Sequence, residues 1–177
     1  MPSETSPLRT TLIRALELAH QVLEGTVADV DDELANRQPS GRANSVGSCY
    51  MHVLLSEDAI VNQMLGGGSQ LSETTWAGRT GADRPQAWDS EESLGKWYHS
   101  VRVDMEAAKR FAQEVYARSA QFVDSLDDAK LTSEVELFGM RVTVAVAVES
   151  FVTGHANNLA GEISAIKGTF GRKGYQY

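Results

Sequence analysis

The stretch RVTVAVAVESFVTGHANNLAGEISAIK, residues 141–167, decides the fold class. Its first part, residues 142–148, is rich in β-branched side chains and by itself also suits a strand. The apolar residues nevertheless continue at helical spacing as far as Ile166, and a periodic segment of this length favours a helix. We therefore predict a long last helix over about residues 141–167.

Three more helices are predicted before this one. The first covers residues 6–24. The second covers residues 45–65, with Asn44 as its N-cap and three glycines after its end. The third covers about residues 89–126 and opens with a capping box of Asp89 and Glu92. Residues 130–139 are expected to be a short extended link without an assigned sheet partner. Four such helices predict an all-α fold, an antiparallel four-helix bundle, as a single domain over residues 1–177.

Composition narrows the functional classes. The 16 Lys and Arg residues against 24 Asp and Glu residues give a formal charge of -8, which opposes binding to nucleic acid or to anionic membranes. No run approaches the roughly 18 apolar residues of a membrane span. Cys49 is the single cysteine, so no intrachain disulfide can form, and we expect a buried, unreactive thiol in a soluble, cytoplasmic protein.

Two polar residues of the last helix fall on its apolar side. A helical wheel at 100° per residue groups one set of positions within about 60°: Val144, Val148, Phe151, Val152, His155, Leu159, Glu162 and Ile166. A histidine and a carboxylate are costly to bury without partners, so they suggest a functional site. The alternative is a core histidine satisfied by one hydrogen bond.

The second helix places His52 among small and polar residues. Its face contains Ser45, Ser48, Ser56, Ala59 and Gln63. This face is either solvated or the wall of a polar pocket, and we favour the pocket. The opposite side carries Leu54, Val61 and Leu65, a candidate face for a symmetric dimer.

The remaining candidates lie outside these two helices. His20 lies near the apolar side of the first helix, whereas His99 lies away from the apolar side of the third and is expected to be solvated. The loop of residues 69–88 contains Trp76 and Trp88, and a loop of this length in a compact domain is more often functional than not. We interpret it as a lid.

The order of these features resembles the DinB-like superfamily of bacterial four-helix bundles, which includes YfiT-like proteins and mycothiol-dependent maleylpyruvate isomerase. The likeness spans nearly the whole chain. Its matching pieces are Asn44-Ser45-Val46-Gly47 before His52, Ser56-Glu57-Asp58, Thr80-Gly81 in the Trp76 loop, His155, Gly161-Glu162-Ile163, and Lys173-Gly174-Tyr175.

The resemblance implies a divalent metal, zinc or nickel, held by His52, His155 and a third histidine four residues after His155. That third position here is Leu159, which cannot bind a metal, and the neighbouring Asn158 is a poor substitute. Glu162 is the first choice to complete the set, with His20 as another option.

With a metal, the resemblance implies a small-molecule substrate or a low-molecular-weight thiol, with thiol transfer, thiol-dependent isomerisation or hydrolysis as the reaction and the loop around Trp76 as the clamp. It also implies a homodimer. The rival hypothesis is a non-catalytic bundle that has lost its metal and serves small-molecule binding or dimerisation.

Overall fold

The computed structural model describes residues 6–175, and most of them are helical. The α-helices are α1 (Pro7–Val27), α2 (Asp32–Ala35), α3 (Val46–Asp58), α4 (Glu91–Ser100), α5 (Met105–Ser125), α6 (Asp128–Leu131), α7 (Val144–Val148) and α8 (Gly154–Thr169). A π-helical segment, Ala59–Leu65, continues α3, and a second one, Glu149–Thr153, joins α7 to α8. A 3₁₀ turn, Leu71–Glu73, and an antiparallel hairpin of β1 (Glu134–Leu137) and β2 (Met140–Thr143) complete these elements.

The long helical segments surround one main core. Helix α1 packs against α8 and α5, and α3 packs against the same two helices. Large side chains fully buried between them include Tyr50, Phe111, Leu23 and Ile163. The prediction of a mainly helical protein is therefore confirmed, although the chain forms more elements than four long helices and includes a hairpin.

Helix α1 agrees with the predicted first helix, and the start of α3 corrects one detail. Ser6 caps α1 by accepting a hydrogen bond from the Arg9 amide. The N-cap of α3 is Ser45 rather than Asn44, since the Ser45 hydroxyl accepts from the Ser48 amide at 3.2 Å. Serine in this position satisfies an amide that the first helical turn leaves without a partner.

The prediction of one helix over residues 89–126 is wrong. The chain is extended at Val101, and α5 starts anew after the N-cap Asp104. Side chains from the α2 region fix this break, because the Asn36 carboxamide bonds both the amide and the carbonyl of Val103, and Asp32 accepts from the Met105 amide. The apolar spacing continues across the break, so the pattern could not reveal it.

The predicted start of the last helix at Arg141 is also wrong. Residues 140–143 form strand β2, and helix α7 starts only after its N-cap Thr143. The partner missing from the sequence prediction is thereby identified, since Glu134 pairs with Thr143 and Leu137 pairs with Met140. The β-branched residues that suggested a strand do form one over their first part.

The π-helical segment Glu149–Thr153 changes which side of α8 is buried. In a π-helix each amide bonds five residues back, so an extra residue enters the turn and later side chains rotate by about 100°. The buried positions of α8 accordingly include Ala156, Ala160, Ile163 and Lys167. Each of these residues comes directly after a residue that the regular helical wheel placed on the buried side of the helix.

The candidate dimer face is wrong as well. Leu54 and Val61 are buried within this chain, and Leu65 is half-buried against a second cluster of apolar side chains. A side of α3 already covered by its own chain cannot provide the contact with another copy. Among residues 6–175, no helix combines the length and the apolar character that crossing a bilayer requires.

Candidate functional site

His52 and His155 lie side by side in one pocket. Their ring centroids are 5.0 Å apart, with His52 on α3 and His155 in the first turn of α8. We call the cavity of about 190 Å³ in front of them the two-histidine pocket. It is lined by His52, Ser56, Ala59, Ile60, Met64, Trp88, Phe138, Phe151 and His155.

Both imidazoles are neutral at pH 7. Burial, assisted by repulsion from His155, lowers the pKa of His52 to about 4, and the Gln86 side chain opposes this decrease. Burial also lowers the pKa of His155, against an opposing effect of the Glu57 carboxylate. A neutral imidazole has one N–H donor and one acceptor nitrogen. The pair can therefore donate a hydrogen bond to a ligand group and also accept one from it.

One ring nitrogen of this pair is buried without a partner, whereas His52 forms a side-chain hydrogen bond with Gln86. The Nε2 atom of His155 is buried and has no hydrogen-bond partner among residues 6–175. His52 Nδ1 lies 3.5 Å from the Ser56 hydroxyl, at the upper limit for a hydrogen bond. A buried nitrogen without a partner costs free energy, so its presence on a residue that lines a pocket points to a site for a ligand.

Apart from Ser56, the rest of the pocket is apolar and aromatic. Trp88, Phe138 and Met64 form its rim and are exposed large apolar side chains. The Tyr98 ring approaches His52 with centroids 5.1 Å apart. Exposed aromatic side chains around a small cavity are typical of a surface that receives an apolar partner.

The tip of the β1–β2 hairpin places Phe138 at this rim. Phe138 and Gly139 are the two residues of the turn, and both have positive φ, 52° and 75°. Turns of this type favour asparagine or glycine, and a bulky residue with positive φ carries backbone strain. The ring of Phe138 contacts that of Phe151 edge to face, with centroids 5.4 Å apart. The strained position therefore holds an aromatic side chain over the pocket.

Among the other residues predicted to form the site, Ser56 and Ala59 line the two-histidine pocket. Ser48 is fully buried in the first turn of α3, where its hydroxyl bonds with Ser45. Trp76 packs instead on Phe111, with ring centroids 5.6 Å apart. The loop of residues 69–88 brings Trp88 to the pocket. Trp76, which was predicted to clamp the ligand, therefore does not lie where it could do so.

His20 is engaged elsewhere in the core. Its Nε2 atom lies 3.0 Å from both carboxylate oxygens of Glu57, and its ring stacks on Tyr116 with centroids 3.8 Å apart. The Ser119 hydroxyl donates to the same carboxylate. These contacts make His20 part of a buried polar network, and it does not line the pocket.

The candidates after His155 do not turn toward it either. Glu162 and Asn158 are exposed, while Leu159 is half-buried against the main core. The Cys49 thiol donates to Glu162 at 3.5 Å, and burial together with this negative charge raises the pKa of Cys49 far above its usual range. Cys49 is thus a buried, unreactive thiol, as expected.

The family is known from comparison with other proteins. A family model described as the DinB superfamily matches residues 15–157. The chain belongs to the DinB superfamily. The resemblance to this family that the sequence indicated is thereby confirmed. A comparison with curated proteins found no match for this DinB chain.

A solved structure shares the fold of this DinB protein. The crystal structure of a conserved protein from Enterococcus faecalis superposes with a TM-score of 0.80, covering 95% of this chain and 100% of that one. The two sequences are 17% identical, so the likeness concerns the fold alone.

The residues of this DinB chain do not fit a resident metal with three protein ligands. Within residues 6–175 no group of three or more His, Cys, Asp or Glu side chains is placed to hold an ion. A catalytic zinc site usually has three protein ligands and one open position. The two histidines supply two donors, and Leu159, Asn158, Glu162 and His20 do not supply the third.

Several pocket residues escaped the sequence analysis for identifiable reasons. Phe138 precedes Gly139 between two short segments of alternating polar and apolar residues, and this pattern indicates a hairpin. Gln86, which is near enough to His52 to affect its pKa, carries no local signal. The position of Trp88 depends on the path of a long loop, which local spacing does not determine.

Proposed function

We propose that this DinB-superfamily protein binds a small, largely aromatic molecule with one polar group in the two-histidine pocket. The observation that carries the proposal is a pair of neutral imidazoles lining a mostly apolar cavity, one of them with a buried Nε2 atom that lacks a partner among residues 6–175. A group that both donates and accepts hydrogen bonds, such as a hydroxyl, complements this pair. The aromatic rim supplies the apolar contact area.

We further propose that the scaffold is an antiparallel four-helix bundle in the cytoplasm. The mutual packing of α1, α3, α5 and α8 supports the bundle, because each of these helices contacts two of the others. The single cysteine supports a reducing compartment. Pockets between the helices of a bundle are common sites for small ligands.

Titration with 2-naphthol tests the binding proposal. The titration uses protein treated with EDTA and is monitored by two-dimensional NMR, and we expect saturable binding. In His155→Leu we expect the affinity to fall about tenfold or more, which corresponds to roughly 1.4 kcal/mol for one lost hydrogen bond. Phe138→Ala is expected to weaken binding several-fold. Met140→Ala is the matched control, because Met140 is exposed on the same hairpin but does not line the pocket. Equal affinities in all variants would contradict the proposal.

Metal-dependent catalysis with a low-molecular-weight thiol, as transfer, isomerisation or hydrolysis, is the second candidate. It is favoured by the free Nε2 atom of His155 beside His52, since neutral imidazole is the form that binds metals. Mass-spectrometric metal content of protein purified without added metal separates the candidates. One equivalent of zinc or nickel, lost in His52→Ala and His155→Ala but kept in His99→Ala, would support catalysis. Metal-free native protein that still binds 2-naphthol would support the first candidate.

A further inference from the structure

The two-histidine pocket has a third polar side chain in its lining, Ser56. The Ser56 hydroxyl lies 3.5 Å from Nδ1 of His52, and the ring centroids of His52 and His155 are 5.0 Å apart. All other residues that line the pocket are apolar or aromatic. The polar contacts that the pocket offers are therefore concentrated in one place.

The Ser56 hydroxyl differs from three helical hydroxyls of α1. Those of Thr10, Thr11 and Thr26 donate to the carbonyl four residues earlier, at 3.0, 2.8 and 2.7 Å, as serine and threonine often do within helices. Within residues 6–175, the Ser56 hydroxyl has only its long contact with His52. Since Ser56 is buried, this hydroxyl has little access to water and is available to a ligand.

His52 is less available to a ligand than its two polar neighbours. Its ring forms a side-chain hydrogen bond with Gln86, in addition to the long contact with Ser56. The Nε2 atom of His155, in contrast, is buried and lacks a partner among residues 6–175. A ligand therefore finds two open polar contacts next to His52, the Nε2 atom of His155 and the hydroxyl of Ser56.

The lining also restricts the charge of the ligand. Among residues 6–175, none of those that line this pocket is lysine or arginine, and burial keeps both imidazoles neutral. A carboxylate or phosphate group would lose its hydration here without gaining a counter-charge. Hydroxyl groups fit better, because they are uncharged and each can donate and accept a hydrogen bond.

The long loop before α4, which was interpreted as a lid, is held at two places. The buried Asp58 carboxylate accepts hydrogen bonds of 2.8 Å from the amides of Leu71 and Ser72. Farther along, the Asp83 amide donates to the Arg102 carbonyl and the Asp83 carboxylate accepts from the Arg102 amide, both at 3.0 Å. The loop is thus a preformed wall, and the interpretation as a lid is withdrawn. A preformed pocket fixes where the polar groups of its ligand must lie.

We infer that the two-histidine pocket selects an uncharged aromatic molecule with hydroxyl groups on two neighbouring ring carbons. One hydroxyl binds the Nε2 atom of His155, and the other binds the Ser56 hydroxyl. Neighbouring ring carbons are required because the polar side chains adjoin one another and the remaining lining offers no polar partner. Ser56 is then the residue that determines specificity. The inference rests on the proposed function, since it concerns the same pocket.

Two dihydroxynaphthalenes, compared with 2-naphthol, test the inference. They are titrated under nitrogen into the full chain treated with EDTA, and binding is monitored by two-dimensional NMR. We expect 2,3-dihydroxynaphthalene to bind about tenfold more tightly than 2-naphthol, the effect of one additional hydrogen bond. We expect no such gain for 2,7-dihydroxynaphthalene, because its second hydroxyl is on the other ring and meets apolar side chains.

Ser56→Ala is expected to abolish the advantage of 2,3-dihydroxynaphthalene over 2-naphthol. Ser150→Ala is the matched control and retains it, because Ser150 is exposed and does not line the pocket although it precedes Phe151. The comparison of the three compounds in the native chain needs no variant, so it decides the question even where Ser56→Ala folds poorly.

Three results would overturn the inference and leave the proposed function standing. These are equal affinities of 2,3-dihydroxynaphthalene and 2-naphthol in the native chain, an equal gain for 2,7-dihydroxynaphthalene, and an advantage of the 2,3-diol that persists in Ser56→Ala. Absence of any binding of 2-naphthol would instead overturn the proposed function, and the inference with it.

Discussion

Burial, more than any charged partner, sets the state of the two site histidines. His52 and His155 approach each other within an apolar cavity, where the charged imidazolium form is poorly solvated. Their presence on helices with buried faces could be predicted from the sequence, and so could their pairing through the family resemblance. The aromatic side chains at the rim of their pocket, Trp88 and Phe138, could not be predicted, because they reach the site from a loop and a hairpin.

The neutral state of His52 predicts a pH-dependent stability. Its pKa is about 4 in the folded chain against 6.5 as the ordinary value, so the unfolded chain binds the proton more tightly. The stabilisation is complete above pH 6.5 and is lost as the pH falls toward 4, at up to about 1.4 kcal/mol per pH unit. Urea denaturation in EDTA should show a shallower pH dependence for His52→Gln than for the native chain. His99→Gln, at an exposed position, serves as control, and an unchanged slope in His52→Gln would refute the burial argument.

Lys167 gives a prediction for a buried cation. Its side chain is fully buried, and Nζ donates to the carbonyls of Thr26 and Gly174 and to the Asp29 carboxylate. Burial would raise the pKa of Asp29, but the Lys167 hydrogen bond and charge lower it overall. Removing the carboxylate leaves a buried ammonium without its counter-charge.

We therefore expect Asp29→Ala to lower the free energy of unfolding by about 1.5–3 kcal/mol, the range for a hydrogen bond to a charged group, since Asp29 itself is partly exposed. Chemical denaturation at pH 7 measures this loss. Glu17→Ala, on the exposed side of α1, should change it by less than about 0.5 kcal/mol. Equal stabilities of the two variants would show that the ion pair contributes nothing.

At the scale of elements, local spacing predicted where helices exist but not where they break. The break between α4 and α5 is held by Asn36 and Asp32, more than sixty residues earlier in the chain. The π-helical segment before Gly154 shifted the buried side of α8 by one residue, which explains why Glu162 is exposed. Neither the break nor the π-helical segment changes the apolar composition, so a regular helical wheel cannot reveal either of them.

The break predicts a stabilising role for Asn36. Its carboxamide bonds the Val103 amide and carbonyl, both at 2.8 Å, and Asn36→Ala removes both contacts. We expect a loss of about 1–3 kcal/mol because a half-buried backbone amide and carbonyl lose their partners. Urea denaturation measures it, with Asn157→Ala on the exposed side of α8 as the matched control. A loss no larger than that of the control would mean that the extended segment is held by packing alone.

The hairpin tip predicts opposite effects on stability and binding. Phe138→Asn places a residue that tolerates positive φ in the turn, so the strain of the native phenylalanine is relieved. We expect the free energy of unfolding to rise by about 1 kcal/mol while the affinity for 2-naphthol falls several-fold. Thermal unfolding and titration of the same preparation check both. A variant that is less stable and binds equally well would exclude a ligand-binding role for Phe138.

At the scale of the whole molecule, the helical scaffold brings parts from distant regions to one site. Helices α3 and α8 supply the histidines, the loop of residues 69–88 supplies Trp88, and the hairpin supplies Phe138. The family and the helical class were predictable because they depend on patterns spread over the whole chain. The aromatic rim was not predictable, since loop and hairpin paths follow from tertiary contacts.

Titration of EDTA-treated native chain with 2-naphthol, followed through the imidazole C–H resonances, tests the central claim most directly. The account predicts saturable shifts at His52 and His155, with His20 and His99 unaffected, because the latter two do not line the pocket. Shifts that appear only after zinc or nickel is added, or no shifts at any concentration of 2-naphthol, would contradict it.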